Sequence, residues 1–208
     1  MGVTRAELKG RAKEALKGKW GMMAVVTILV MAISVAVGLI PAVGLIPVLG
    51  SIASIFLAPA LQAGLVIISL RVARHQEVGV GNLFDGFQFV LKATGLALVI
   101  SIFTFLWTLL FIIPGIVATI RYSMAVYILV ENPNKGIMQC INESKELTQG
   151  YKMDLFILQL SFIGWALLIP FTLGIGYLFL VPYMQITMAY AYLQLAYATR
   201  TRGYSPEL

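Results

Sequence analysis

A single basic residue, Arg121, lies inside a long apolar segment of this sequence. A charged side chain at the centre of a membrane helix costs at least ~2.5–3.5 kcal/mol, so such a residue is by default a candidate for function. Counted from the turn at Gly115, Arg121 lies about 9 Å along the helix. No acidic residue lies within a turn or two of it along the chain. Its expected partners are therefore backbone carbonyls, the hydroxyl of Thr119 or Ser123, water, or an anion such as a lipid phosphate.

Two explanations of Arg121 require no ligand. The guanidinium could extend along its own stem to the outer surface, or it could make a structural polar contact. Three glutamines in other apolar segments are further candidates for lining a pathway or contacting an anion, namely Gln62, Gln159 and Gln185. Such side chains more often join helices through hydrogen bonds. Because no Asp, Glu or His lies in the middle of an apolar segment, no proton relay is expected.

Residue types that serve catalysis and metal binding are scarce. The single Cys140 and the single His75 exclude an intrachain disulfide framework and most clusters based on Cys or His. The carboxylates of Glu143 and Glu146 flank Lys145, as on a solvated helix face. We therefore expect no enzymatic activity, no metal and no cofactor. The net charge of +6 comes without an aromatic and basic pattern that would predict nucleic-acid binding.

The composition is typical of a membrane protein. Of 208 residues, 60% are hydrophobic and 12% are charged, whereas soluble domains are about 25% charged. A membrane-spanning helix needs about 20 mostly apolar residues. The predicted fold is all-α, a polytopic bundle of six transmembrane helices in three hairpins: 20–40, 51–70, 93–113, 115–130, 154–173 and 177–199.

The segments between these predicted spans are of two kinds. Those beginning at Pro41, Pro114 and Gly174 carry no charge, whereas the others and the two chain ends carry every Lys and Arg except Arg121. Lys and Arg concentrate in cytoplasmic loops. The sequence therefore predicts a multi-pass protein of the cell membrane with both termini in the cytoplasm.

Amphipathic helices are predicted on the cytoplasmic side, at 4–19 and 134–149. The first opens with the capping box Thr4-Arg5-Ala6-Glu7. We predict that it lies on the membrane surface and attracts anionic lipid, the alternative being a solvated charged tail. Its apolar stripe consists of Leu8, Ala12, Ala15 and Leu16, and its basic patch of Lys9, Arg11, Lys13, Lys17 and Lys19.

A glycine and an aromatic residue recur close to the start of the first, third and fifth spans. The pairs are Gly18 with Trp20, Gly86 with Phe87, and Gly150 with Tyr151, and the glycines are 68 and 64 residues apart. Near-constant spacing indicates repeated units, and glycine allows the positive φ that ends a helix. We predict three copies of one unit, an interfacial helix, a bend and a transmembrane hairpin. Chance recurrence of a common pair is the alternative.

Three stretches of the chain resemble a known family. They are IPGIV with RYSMAVYILVENPN (113–134), ESKELTQGYKMDLFILQLSFIGW (143–165) and TLGIGYLFLVPY (172–183). In these stretches, and in a lysine-rich first helix ending LKGKW, the chain is similar to the bacterial integral membrane proteins grouped as domain-of-unknown-function 975. The resemblance implies a six-helix membrane protein of the bacterial inner membrane, and it supplies no activity and no catalytic residues.

Three classes of function stay open. The first is a non-enzymatic module that organises lipids or partner proteins through its basic cytoplasmic face. The second is a channel or transporter for a small anion or an amphiphile, using Arg121. The third is a membrane enzyme that modifies lipid. The expected partners are the bilayer, anionic lipid in particular, and a second copy of the chain or another membrane protein.

Overall fold

The computed structural model describes residues 4–39, 47–167, 169–172 and 174–203. Within them the chain is helical, without a β-strand, and includes a 3₁₀ segment at Val80–Phe89. Residues 40–46, 168 and 173, which the sequence assigns to spans or to the first outer connection, lie outside the described residues. The α-helices are α1 (Arg5–Leu16), α2 (Trp20–Leu39), α3 (Pro47–Ala73), α4 (Val90–Leu110), α5 (Ile112–Tyr122), α6 (Ala125–Glu131), α7 (Ile137–Leu147), α8 (Lys152–Ala166) and α9 (Ile175–Gly203).

Four helical segments of the described chain are long and apolar enough to cross a membrane: Trp20–Leu39, Ile52–Ala73, Val80–Leu110 and Ile113–Glu131. The predicted fifth span, 154–173, coincides with α8, which has only 15 residues where about 20 are needed. The predicted sixth span lies in α9, which is not among the four. The fold is therefore all-helical with four candidate membrane spans.

Large apolar side chains are exposed where one long helix connects to the next. Phe111 between α4 and α5 is 71% exposed, and Phe171 between α8 and α9 is 85% exposed. On α2, Val35 and Leu39 are exposed as well. Water-soluble monomers rarely expose apolar patches of this extent. The arrangement is compatible with helix ends that contact lipid.

The second half of α3 is the centre of the bundle. From Ala60 to Ala73 nearly every side chain is buried, because α1, α4, α6, α9 and the 3₁₀ segment all pack around it. A helix that is apolar on every side needs such burial. The 3₁₀ segment approaches most closely where Gly86 faces the backbone of Ala60 and Gly64.

The three predicted glycine bends are not equivalent. Gly18 and Gly150 have φ of 77° and 85° and connect α1 to α2 and α7 to α8. Gly86 lacks a positive φ. Its prediction as a third bend is wrong, because the residue lies inside the 3₁₀ segment, where the absence of a Cβ lets the segment reach α3.

The α1 helix begins as the sequence predicts and packs differently. The hydroxyl of Thr4 accepts a hydrogen bond from the backbone N–H of Glu7 at 3.3 Å. The buried residues of α1 are the four of the predicted apolar stripe. This stripe packs on α3 and α9, so protein rather than lipid covers it.

The α1 helix also runs beside α8. Arg5 forms an ion pair with Asp154 at 4.0 Å, near the start of α8. One turn later, the ammonium of Lys9 lies 4.6 Å from the centre of the Phe162 ring, and burial lowers the pKa of Lys9. The N-terminal helix α1 therefore lies beside α8, a segment that the sequence assigned to the membrane interior.

The predicted fourth span, 115–130, is interrupted. Its first part, α5, ends at Tyr122, and α6 begins at Ala125. Ser144 of α7 lies at the interruption, where its hydroxyl accepts from the backbone N–H of Met124 at 3.2 Å and donates to the carbonyl of Arg121 at 2.7 Å. A side chain from another helix thus satisfies the backbone groups that the interruption frees.

Candidate functional site

Arg121 lies in the last turn of α5, between a polar cavity and an apolar one. We call the first the polar pocket, a cavity of about 370 Å³ that the side chains of α7 and the start of α8 form together with Arg121. Its lining consists of Arg121, Asn142, Lys145, Glu146, Gln149 and Lys152. Three basic residues thus face one carboxylate, which makes the pocket cationic.

The second cavity, which we call the apolar groove, lies on the other side of Arg121. It has a volume of about 270 Å³ and is open to the exterior. Apart from Arg121 it is lined by Trp107, Ile113, Pro114, Val117 and Ala118. Arg121 is therefore the residue at which an apolar, open surface meets a cationic pocket.

The guanidinium of Arg121 retains donor capacity. Its Nε is buried and has no hydrogen-bond partner among the described residues. Neither of the two hydroxyls expected as its partners accepts from Nε. Thr119 donates to the carbonyl of Gly115 at 3.1 Å, and Ser123 donates to that of Ile120 at 2.8 Å. A buried donor without a partner is costly.

The α7 helix carries two charged residues of the polar pocket, Lys145 and Glu146. Its opposite face is buried through Cys140, Ile141, Ser144 and Leu147. The ammonium of Lys145 is held by the side-chain oxygen of Asn142 at 3.1 Å and lies 5.8 Å from the centre of the Tyr122 ring. This packing fixes a flexible lysine beside the end of α5.

The sequence predicts a solvated helix face at Glu143, Lys145 and Glu146. Asn142, Lys145, Glu146 and Gln149 follow one another at i, i+3, i+4 and i+7, and they form one polar stripe. The stripe was visible in the sequence, but its position beside Arg121, more than 20 residues earlier in the chain, was not. Glu146 of this stripe adds a carboxylate to the lining of the same pocket.

The three candidate glutamines do not join Arg121. Gln62 is exposed on α3, whereas Gln159 on α8 and Gln185 on α9 are half-buried. None of them lines the polar pocket or the apolar groove. The structure therefore gives no continuous row of polar side chains from these residues to Arg121.

The basic patch of α1 is dispersed over several contacts. Arg11 pairs with Glu7 at 2.8 Å within the helix, and Lys19 donates to the carbonyl of Gln76 at 3.0 Å. Lys13 lines a separate apolar cavity, and Lys17 is exposed. The patch is thus not one surface, and each residue needs its own interpretation.

Another cavity, of about 590 Å³, lies at the end of α3 and contains paired charges. Arg71 forms an ion pair with Asp85 at 3.3 Å. Arg74 pairs with Glu131, which also accepts a hydrogen bond from the hydroxyl of Tyr192 at 2.8 Å. Because carboxylates of the chain already neutralise these two arginines, this cavity fits an anion less well than the polar pocket does.

A protein-family model matches most of the chain. The model of the family described as "Protein of unknown function (DUF975)" matches residues 1–120 and 109–199. No curated protein matches the chain, and no solved structure matches it.

Proposed function

The chain belongs to the DUF975 family of proteins of unknown function, and we propose that it is a non-enzymatic membrane protein that binds anionic lipid around Arg121. The observation that carries the proposal is the position of Arg121 between the polar pocket and the apolar groove. A phospholipid has the same division, an anionic phosphate beside apolar chains. Phosphate forms strong, charge-assisted hydrogen bonds with arginine.

The electrostatics support an anionic rather than a zwitterionic headgroup. Arg121, Lys145 and Lys152 face only one carboxylate, Glu146, in the polar pocket. A zwitterionic headgroup would bring its own cation among these three. Anionic headgroups such as phosphatidylglycerol carry no such cation and match the excess positive charge.

For the topology, we propose four membrane-crossing helices with both termini in the cytoplasm, the side on which the charged connections lie. Six spans remain the alternative. The 15-residue length of α8 and its contacts with α1 support the smaller number. Lys13 of α1, predicted to be cytoplasmic, lines one cavity with Thr172 and Gly176, predicted to be at the outer side. A fully crossing α8–α9 hairpin would separate them by about 30 Å.

Cysteine labelling distinguishes the two topologies. Cys140 is the only cysteine, it is buried, and burial raises the pKa of its thiol, so Cys140→Ala provides an unreactive background. In that background we expect Phe171→Cys to react with a membrane-impermeant maleimide only after the cells are permeabilised. Phe111→Cys, on the α4–α5 connection, is the matched control and should react in intact cells. Labelling of Phe171→Cys in intact cells would establish six spans instead.

The lipid proposal is tested through Trp107, which lines the apolar groove. Trp20→Phe and Trp165→Phe remove the other two of the three tryptophans. In bilayers, we expect dibrominated phosphatidylglycerol to quench Trp107 more effectively than dibrominated phosphatidylcholine. Arg121→Gln should reduce this preference by about tenfold, the factor that corresponds to one charge-assisted hydrogen bond.

Lys17→Gln is the control for net charge, because Lys17 is exposed on α1 and outside both cavities at Arg121. It should leave the lipid preference of Trp107 unchanged. Equal quenching by the two lipids, or an equal loss in Lys17→Gln and Arg121→Gln, would contradict a specific site.

A second candidate function is transfer of an amphiphile between leaflets. One observation favours it, namely that cavities approach Arg121 from two sides. The apolar lining of the groove suits an acyl chain and not a hydrated ion. Faster movement of a labelled phosphatidylglycerol between leaflets with the unmodified protein than with Arg121→Gln would replace binding by transfer.

A further inference from the structure

A separate cavity lies between α1 and the α8–α9 hairpin, away from the residues around Arg121. We call it the aromatic cavity. It has a volume of about 300 Å³, the lower end of the range for ligand sites. Its lining consists of Lys13, Trp20, Trp165, Ile169, Thr172, Gly176, Phe179, Leu180 and Tyr183.

The polar groups of this lining are few. Among the described residues of the lining, Lys13 is the only charged one and none carries a carboxylate. Trp20 and Trp165 each add an indole N–H, which only donates, and Tyr183 adds a phenol O–H, which can donate or accept. Four aromatic side chains make most of the remaining lining apolar. A ligand that fits must therefore be apolar over most of its surface and present a hydrogen-bond acceptor, best a negative charge, to Lys13.

The shape limits the ligand further. A cavity of this volume suits part of one acyl chain rather than both chains of a phospholipid. Trp165 is 59% exposed and Phe179 is 48% exposed, so the cavity opens on the apolar exterior of the hairpin. A chain could enter there from the bilayer and leave its remainder in lipid.

From these observations we propose that the aromatic cavity binds a single-chain carboxylate amphiphile, such as a long-chain fatty-acid anion, with its carboxylate on Lys13 and its chain among the aromatic rings. The site is independent of the proposed lipid site, which has three basic residues and a separate lining. Since Lys13 and Trp20 flank the Gly18 bend while the other lining residues belong to the hairpin, a bound chain would connect the N-terminal helix to α8 and α9.

The three tryptophans divide between the two sites, which makes the proposal testable by fluorescence. Trp107→Phe removes the tryptophan of the apolar groove and leaves Trp20 and Trp165, both in the aromatic cavity. In phosphatidylcholine nanodiscs, we expect dibrominated stearate to quench this variant saturably. The uncharged methyl ester of the same acid should bind about tenfold more weakly, as should the acid to Lys13→Gln.

Lys13→Arg and Lys17→Gln are the matched variants. The first keeps the charge in the cavity and should retain affinity, and the second removes an exposed charge of the same helix and should change nothing. Far-ultraviolet circular dichroism shows whether each variant keeps its helices. Quenching that rises linearly without saturation, or that is equal for acid and ester, would overturn the proposal, as would equal quenching by dibrominated phosphatidylcholine in all variants. Unchanged affinity in Lys13→Gln would also overturn it.

Discussion

Gly86→Ala is expected to destabilise the protein by about 3 kcal/mol, near the upper end of the cost of overpacking. A Cβ at this position would collide with the carbonyl of Ala60 and the backbone N–H of Gly64. Backbone atoms in the centre of α3 cannot rotate away as a side chain can. The 3₁₀ segment would have to withdraw from α3, which would open the core around Leu83. Unfolding in mixed micelles, followed by circular dichroism, measures this free energy.

Gly10→Ala is the matched control for Gly86→Ala. Gly10 lies in the middle of α1, and a Cβ there would meet nothing within 4 Å. Because alanine loses less backbone entropy than glycine in a helix, we expect this variant to gain roughly 0.5–1 kcal/mol. Similar unfolding free energies for the two variants would refute the close approach of the 3₁₀ segment and α3.

Ser144→Ala is expected to destabilise the protein by roughly 2–4 kcal/mol, because it removes the partner of two backbone groups at once. Ser144 is fully buried. Its hydroxyl joins the N–H of Met124 and the carbonyl of Arg121 across the interruption between α5 and α6. Since the same contact positions Arg121, the preference of Trp107 for dibrominated phosphatidylglycerol should fall together with the stability.

Ser69→Ala provides the comparison for this variant. Ser69 is also fully buried, but its hydroxyl donates to the carbonyl of Leu65 within the same helix, at 2.7 Å. That carbonyl belongs to the regular i→i+4 pattern and keeps a backbone partner. We expect a loss below about 1 kcal/mol and no change in lipid preference. If Ser144→Ala costs no more than Ser69→Ala, the interruption does not depend on α7.

The Arg121 site shows which features the local sequence predicts and which it does not. Arg121 was identifiable because a charge in an apolar segment stands out against its neighbours. The polar stripe of α7 was likewise readable from its helical spacing. The sequence did not predict that Arg121 and this stripe line one pocket, because Glu146 and Lys152 lie 25 and 31 residues beyond Arg121. The turn after α6 brings α7 back to the end of α5, and this turn depends on packing between helices.

The sequence by itself determined the helical class, the family, the apolar segments and the capped, striped α1, because these follow from local spacing and composition. Thr4 caps α1 and the four stripe residues are buried, as their spacing predicts. Only the tertiary structure decided what each face meets. The stripe of α1 packs on protein, Gly86 admits the 3₁₀ segment to α3, and Ser144 stabilises the interruption after α5. Each of these depends on atoms from distant parts of the chain, whose contacts local periodicity does not encode.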